Sequence, residues 1–291
     1  MTNELTTGSS DFAGTANGTG TNYTIPRTLL GEVINAVRKQ LVLRGLAARV
    51  FGPSSIPGRT LVIPIQAEIV STTTEMLVDR IAEGAEIDMG NTSFTTITLT
   101  PVKYGVRIGA TKEMQEDGIL DLLSYHAELA GYEFANNEET LIVSQLDSAA
   151  SASSHTVANS NATLPISDIT AAMQQLETDN YMPTHILVGA EVANDLRNID
   201  TFVEADKSGV NNPTQRMIGT IFGMKVIVTN SVSAKLAYVI DANHAFVIGE
   251  KRPVTMERYN DFARDSEFVV CTQRIAVGYL RANAVSEITT T

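Results

Sequence analysis

The side chains best suited to chemistry are few and scattered in this sequence. His126, His155, His185 and His244 share no metal-ligand spacing with one another or with Cys271, and no H-E-x-x-H pair occurs. Each histidine reads as a surface or satisfied structural residue. His126 falls on an apolar helical stripe, where a core histidine is the expectation and a pH-sensitive assembly contact the sharper alternative. Cys271 is the only cysteine, so no intrachain disulfide can form, and within FVVCTQ it reads as a small buried strand residue. Gly14 to Gly20 does not follow a strand as G-x-G-x-x-G, and Gly219 to Lys225 lacks the second half of a P-loop. With no G-x-S-x-G elbow and no triad, no catalytic, cofactor-binding or metal-ligating residue is assigned. A chain so poor in reactive constellations is expected to work by shape.

The elements that dictate that shape lie between Ile97 and Ala149. Val102, Tyr104, Val106, Ile108 and Ala110 alternate with Lys103, Gly105, Arg107 and Gly109, which predicts a strand with one buried and one wet face. Thr111 opens a short helical turn, and Asp117 is placed as N-cap of a second helix running to Ser148. That helix would be about 48 Å long at ~1.5 Å per residue, more than a compact domain requires. Ile119, Leu122, Leu123, His126, Leu129, Ala130, Phe134 and Leu141 form one stripe, interrupted by Glu133 and Asn137. Ile142 and Leu146 point to the other side, so the helix must change partners along its length.

Upstream, Thr60–Ile65 and Phe94–Thr100 are predicted strands bracketing a polar excursion, Gln66 to Asn91. The excursion carries Glu68, Glu75, Asp79, Arg80, Glu83, Glu86 and Asp88 and too little apolar material for a core of its own. An arm of this kind is expected to gain its burial from a neighbour. Pro26 to Val50 has a helical pattern, and Gly52–Gly58 breaks the chain. Met1 to Asn22 is polar, without the apolar core of a signal peptide, and no run reaches transmembrane length. The polar, low-complexity stretch Ser148–Thr163 reads as a domain boundary, after which Ser167 is placed as the N-cap of a helix burying Ile169, Met173 and Leu176. Strands and helices then alternate to Ile240. The fold class is α+β. With 33 acidic against 21 basic residues, net charge −12, the chain lacks the balance of a protein that grips nucleic acid by its phosphates.

The order of a polar N-terminal arm, a hairpin ending in EGAEIDMG and TLTPVKYGVRIGATKEMQED, and a long helix with FANNEE resembles the major capsid proteins of tailed bacteriophages, the Hong Kong 97-like fold. HILVG before AEVANDLRNI resembles the opening of that family's axial domain. GTIFGMKVIVT resembles its G-x-P-V strand, with Met224 where proline is usual; AFVIGEKRPVTMERY and RIAVGYLRANAV resemble the peripheral ribbon and the closing strand. The resemblance runs from about Pro26 to Val285. It implies an N-terminal arm with a helix (1–57), an extended hairpin (58–102), a peripheral domain (103–163 and 243–274) and an axial domain (164–242 and 275–291).

A shell subunit of this kind would pair with itself in hexamers and pentamers, enclose double-stranded DNA without reading its sequence, and be assembled in the bacterial cytoplasm. Arg59, Arg80, Glu83, Glu86 and Asp88 are the expected inter-subunit contacts, the acids meeting Arg or Lys of an adjacent subunit or else forming a solvated edge. Gly105, Gly109 and Gly118 are the candidate hinges. Some relatives crosslink a hairpin lysine to asparagine; here no lysine lies between Lys39 and Lys103, so non-covalent contacts are expected to hold the shell. The short N-terminal arm leaves no room for a fused scaffolding domain, so a separate scaffolding protein is expected unless the subunit assembles alone; a portal is expected with it, and a cement protein is an optional further partner. An encapsulin-type nanocompartment and a gene-transfer-agent capsid remain alternatives from the same fold, the former set against a polar arm where a cargo-docking helix is usual. An unrelated enzyme is disfavoured by the missing site.

Overall fold

The computed structural model describes residues 42–66, 83–84, 94–116, 122–159, 163–199 and 219–290. Three sheets organise them. A four-stranded sheet runs β1 (Arg49–Phe51), β10 (Phe246–Asp261), β11 (Ser266–Tyr279) and β4 (Val102–Thr111) in spatial order. A six-stranded mixed sheet runs β5 (Thr156–Asn159), β12 (Val285–Thr290), β9 (Leu236–Ile240), β6 (His185–Val188), β8 (Met224–Val228) and β7 (Thr220–Ile221). The third is a hairpin of β2 (Leu61–Gln66) with β3 (Phe94–Leu99).

The short helix α1 (Lys112–Glu116) follows β4 directly, and the Thr111 hydroxyl accepts the Met114 amide at 3.3 Å, as an N-cap should. Helix α2 (Leu122–Ser153) has 32 residues, hence a length of about 48 Å at ~1.5 Å per residue. Its two halves serve different cores. Ala130 and Phe134 pack on Val269 and Cys271 of the four-stranded sheet, with Tyr104 and Ile108 at the margin. One helical side round, Ile142, Leu146, Ala149 and Ala150 are buried with Leu43, Tyr238, Phe246, Ile248, Ile275 and Val285. The change of partner expected from the helical projection is therefore present.

The six-stranded sheet is covered on both faces, so its central strands read as unbroken apolar runs, HILV and LAYVI. Ala237 and Val239 face α3 (Ile166–Thr178) and α4 (Ala190–Asn198), whose Ile169, Leu176, Val192 and Leu196 are fully buried. Tyr238 and Ile240 face the C-terminal half of α2.

Five local expectations need correction. The helical pattern ending at Val50 gives way, within the described residues, to a 3₁₀ turn at Leu43–Leu46 and strand β1, because Leu43 is drawn into the core and Arg49–Phe51 pairs in parallel with Val247–Gly249. Ser167 is not the N-cap: α3 starts at Ile166 after an extended Pro165, and the Ser167 hydroxyl donates to Asp168. Pro165 has no side-chain acceptor to offer the first-turn amides, so the helix opens there without a side-chain cap. Ser148–Thr163 is not a break. Helix α2 runs through Ser153 because Ala149 and Ala150 are small enough to be buried against the core, while Ser148 and Ser153 satisfy their hydroxyls on carbonyls one turn back. Residues 156–159 then pair with β12. The strand expected at Gly219–Thr229 is a hairpin, turning at Phe222 (φ 49°) and Gly223 (φ 83°), the paired positive φ values of a tight two-residue turn. On β4, finally, the apolar face is only partly covered: Val102 and Val106 stay exposed where α2 passes over Tyr104 and Ile108. The cap placed at Asp117 lies outside the described residues.

Candidate functional site: two arms and their anchors

The chain leaves its N-terminal region at Val42, and two consecutive glutamates of α2 receive it. Adjacent helical residues diverge by about 100°, so Glu138 and Glu139 reach different neighbours. Glu139, only 2% exposed, accepts hydrogen bonds from the amides of Val42 and Leu43, the latter at 2.9 Å, and from the Ser231 hydroxyl after β8. Glu138 takes both oxygens to Nη1 of Arg44, at 2.7 and 2.9 Å, and Nη2 of Arg44 reaches Glu250 on β10 at 2.8 Å. Burial pushes the Glu138 carboxyl above its ordinary range, and the adjacent guanidinium works against that shift. These five side chains stitch the N-terminal segment, α2, β10 and the Ser231 loop together at the level where α2 changes cores.

The second arm is the β2–β3 hairpin. Its base is seated by Leu99, which packs over the backbone of Gly249 and Gly278 where side chains would collide with it. Lys251 donates to the Gly58 carbonyl and Arg281 to that of Gln66. Thr98, Val102, Tyr104, Leu141 and Val277 help line an open groove of about 430 Å³ between hairpin, α2 and β11. Large apolar side chains are exposed at both extremities: Phe94 is 68% exposed on the arm, and Phe262 is 85% exposed at the turn joining β10 to β11.

Of the contacts expected from sequence, Arg59 lies exposed before β2 and Glu83 is exposed in a turn with Gly84, while Arg80, Glu86 and Asp88 lie outside the described residues. Gly105 and Gly109 sit inside β4, paired with Thr272 and Phe268, rather than beside the helix; the Phe268 ring covers Gly109. Gly118 lies outside the described residues. Cys271 is buried, and burial pushes its thiol pKa up. His155 contacts Asp179 at 3.2 Å and His244 contacts Asp241 at 2.8 Å. His126 is half-buried on α2. Among the described residues no group of three or more His, Cys, Asp or Glu side chains is placed to hold a metal ion. The anchors Arg44, Glu138, Glu139 and Ser231 were not singled out from sequence. Their one signal is the EE pair that ends FANNEE, next to Asn137 where the apolar stripe is interrupted.

An anchored hairpin, exposed aromatic side chains at Phe94 and Phe262 and a helix shared by two cores, with no catalytic constellation among the described residues, are the features of the site. The model of the phage capsid family matches residues 21–289, and the chain belongs to that family. It is a major capsid protein, a structural component of the virion that assembles with itself into a shell. The fold is similar to that of Mycobacterium phage Che8, with 17% identity over 92% of this chain and 97% of that one, at a TM-score of 0.73. It is also similar to the capsid of cyanophage P-SCSP1u, with 14% identity, coverage of 94% and 95%, and a TM-score of 0.75. The capsid of a native GTA particle resembles it at 13% identity, 95% and 98% coverage and a TM-score of 0.68. No curated protein matches the sequence.

Proposed function

We propose that the chain builds a closed icosahedral or prolate head from hexamers and pentamers, encloses double-stranded DNA without reading its sequence, and does no enzymatic chemistry. The observation that carries this reading is the β2–β3 hairpin, anchored at its base by Leu99 and Arg281, together with the exposed Phe94 and Phe262 that an isolated subunit leaves wet. Surface of this kind is stabilised when a second copy covers it.

In this reading Arg59, Arg80, Glu83, Glu86 and Asp88 make the arm's contacts, Gly118 with Gly105 and Gly109 marks where capsomer geometry adjusts, and assembly takes place in the host cytoplasm. A separate scaffolding protein, a portal and a cement protein complete the head. With no lysine between Lys39 and Lys103, the shell is held without hairpin lysine crosslinks. Electron microscopy of particles produced from the full chain tests the proposal, with capsomers of six and five copies as the expected result. A protein that stays monomeric at all concentrations, or covalent ladders on denaturing gels of mature particles, would overturn the corresponding part. The likeness to a GTA particle capsid supports a second reading, a gene-transfer-agent shell. Sequencing the nuclease-protected DNA separates the two, since one defined genome marks a phage and mixed host fragments mark the alternative.

A further inference from the structure

Of the four histidines, His155 stands where two helices end together. Helix α2 closes with Ser154 at φ 59°, the Ser154 amide bonded to the Ser151 carbonyl and the His155 amide to that of Ala150. Helix α3 closes in the same way: Asn180 has φ 65°, its amide bonds the Glu177 carbonyl, and the Tyr181 amide bonds that of Leu176. Both are Schellman endings, which turn the chain sharply and leave the last carbonyls of each helix without an intrahelical partner. The His155 ring bridges the two ends, with Nε2 3.2 Å from Oδ2 of Asp179, the residue that closes α3. Its backbone is fixed as well, because the Glu287 amide of β12 donates to the His155 carbonyl.

The titratable groups around this joint are acids. Asp179 touches the ring, and Glu177 in the last turn of α3 is exposed beside it in sequence. On β12, Val285 packs with α2 and Ile288 with α3, so Glu287 lies on the α2 side, where its carboxyl meets that of Asp147. Burial and then Asp147 push the Glu287 carboxyl up, and the phenol of Tyr238, opposite Glu287 on β9, is pushed up by burial and by the same two acids. Strand β5 adds no titratable side chain, and Lys235 stands at the far end of β12, where its carbonyl receives Thr290. Nδ1 of His155 is buried without a hydrogen-bond partner among the described residues. His185 has the opposite setting, since burial and Lys225 push its imidazole pKa down. His244 pairs with Asp241 but is half-exposed. A proton taken up at His155 turns its bond to Asp179 into a charge-assisted one and sets a positive charge at two helix C-termini.

We propose that His155 is a proton-operated latch: protonation tightens the joint that ties the end of α2 to Asp179 at the end of α3 and, through the Glu287 amide, to β12, and loss of the proton loosens it. Helix α2 is shared by both cores and α3 covers the other face of the six-stranded sheet, so the latch sets how firmly the shared helix is held to that sheet. Its contribution is full where the ring is charged and is lost as pH rises through the titration of the ring.

Native-state hydrogen exchange on the full chain, corrected for the intrinsic pH dependence of exchange, reads the joint through peptides covering 150–157 and 285–290. From about pH 8 down to about pH 5.5, where histidine takes up its proton, protection of these peptides should rise about tenfold. His155→Gln should flatten the rise. Asp179→Asn, which leaves the ring in place, should flatten it too, and Asp179→Glu should restore most of it. Circular dichroism establishes that each variant is folded, and the Asp179 pair carries the test where His155→Gln does not fold. Glu287→Gln separates the latch from the Asp147–Glu287 carboxyl pair, whose proton acts in the same direction, and most of the rise should persist in it. Equal protection at the two pH values in the unaltered chain overturns the proposal, as does a rise that survives in Asp179→Asn. A rise abolished by Glu287→Gln alone assigns the pH dependence to the carboxyl pair and overturns it as well.

Discussion

Glu139 holds the entry of the N-terminal segment by three hydrogen bonds, and its removal has a calculable consequence. Glu139→Ala deletes the acceptor for the amides of Val42 and Leu43 and for the Ser231 hydroxyl, at a position only 2% exposed. Hydrogen bonds to a charged acceptor contribute about 1.5–3 kcal/mol each, so three would sum to roughly 5–9 kcal/mol if nothing replaced them. The Ser231 hydroxyl can rotate to another acceptor and the Val42 amide is only part-buried, which leaves the Leu43 amide as the group that stays orphaned. A net loss of about 3–5 kcal/mol is expected. Leu43 itself remains buried in the core, so the loss should appear first as local opening of residues 42–47. At 1.4 kcal/mol per factor of ten, the Leu43 amide should exchange at least about a hundredfold faster in native-state hydrogen exchange. Glu139→Gln keeps one carbonyl oxygen for the two amides and turns its NH₂ to the Ser231 oxygen, which can accept, so it should cost only about 1 kcal/mol. Unchanged exchange at Leu43 in Glu139→Ala would refute the reasoning, as would a Glu139→Gln variant equally damaged.

Three further outcomes follow from the packing. Gly189→Ala would place a Cβ 2.1 Å from the Ser233 carbonyl oxygen and 2.6 Å from that of Ala234, both backbone atoms, so the loop or α4 must move; a loss of more than about 3 kcal/mol and a poor soluble yield are expected. Leu146→Ala, at a fully buried site where α2 meets both sheets, should cost about 2–5 kcal/mol in chemical denaturation. The Glu287 carboxyl is raised by burial and then by Asp147, so the folded state holds its proton more tightly than the unfolded state does. That contribution to stability is full below the unfolded pKa and is lost as pH rises through the raised folded value; melting temperatures of Glu287→Gln should therefore vary less with pH over this window than those of the unaltered chain.

Periodicity made the local elements legible. The alternation of Tyr104, Ile108 and Ala110 placed β4, Thr111 announced α1, and the switch from Ala130 and Phe134 to Ile142 and Leu146 showed that α2 serves two cores. Each of these signals lies within a few residues of sequence. What could not be read depends on register and on pairs far apart in the chain. Glu138 finds Arg44 and Glu139 finds Leu43 only because β1 joins the edge of β10 in parallel and brings residues 42–44 over the helix. Ser148–Ser153 is helical against its composition for a different reason: alanine and serine look featureless in sequence, yet small size is the property that lets Ala149 and Ala150 be buried in one cluster with Tyr238 and Phe246.

The length of α2 then has a physical cause beyond reach. A helix confined to one sheet could end near Phe134, and one confined to the other could begin near Ile142. Joining the two in one rod makes the sheets share a single rigid element, and the two glutamates sit between the halves. Through Arg44 the same point is tied to Glu250 on β10, and through Ser231 to the loop that follows β8. A pull on the N-terminal segment is thus delivered where the four-stranded and six-stranded sheets meet, not to a peripheral helix end. The β2–β3 arm is rooted on the same long strands, since Leu99 rests on Gly249 of β10 and Gly278 of β11. Both segments bear on β10, Arg44 through Glu250 and the hairpin through Leu99 over Gly249. Forces on either segment therefore reach the four-stranded sheet and, through α2, the six-stranded one.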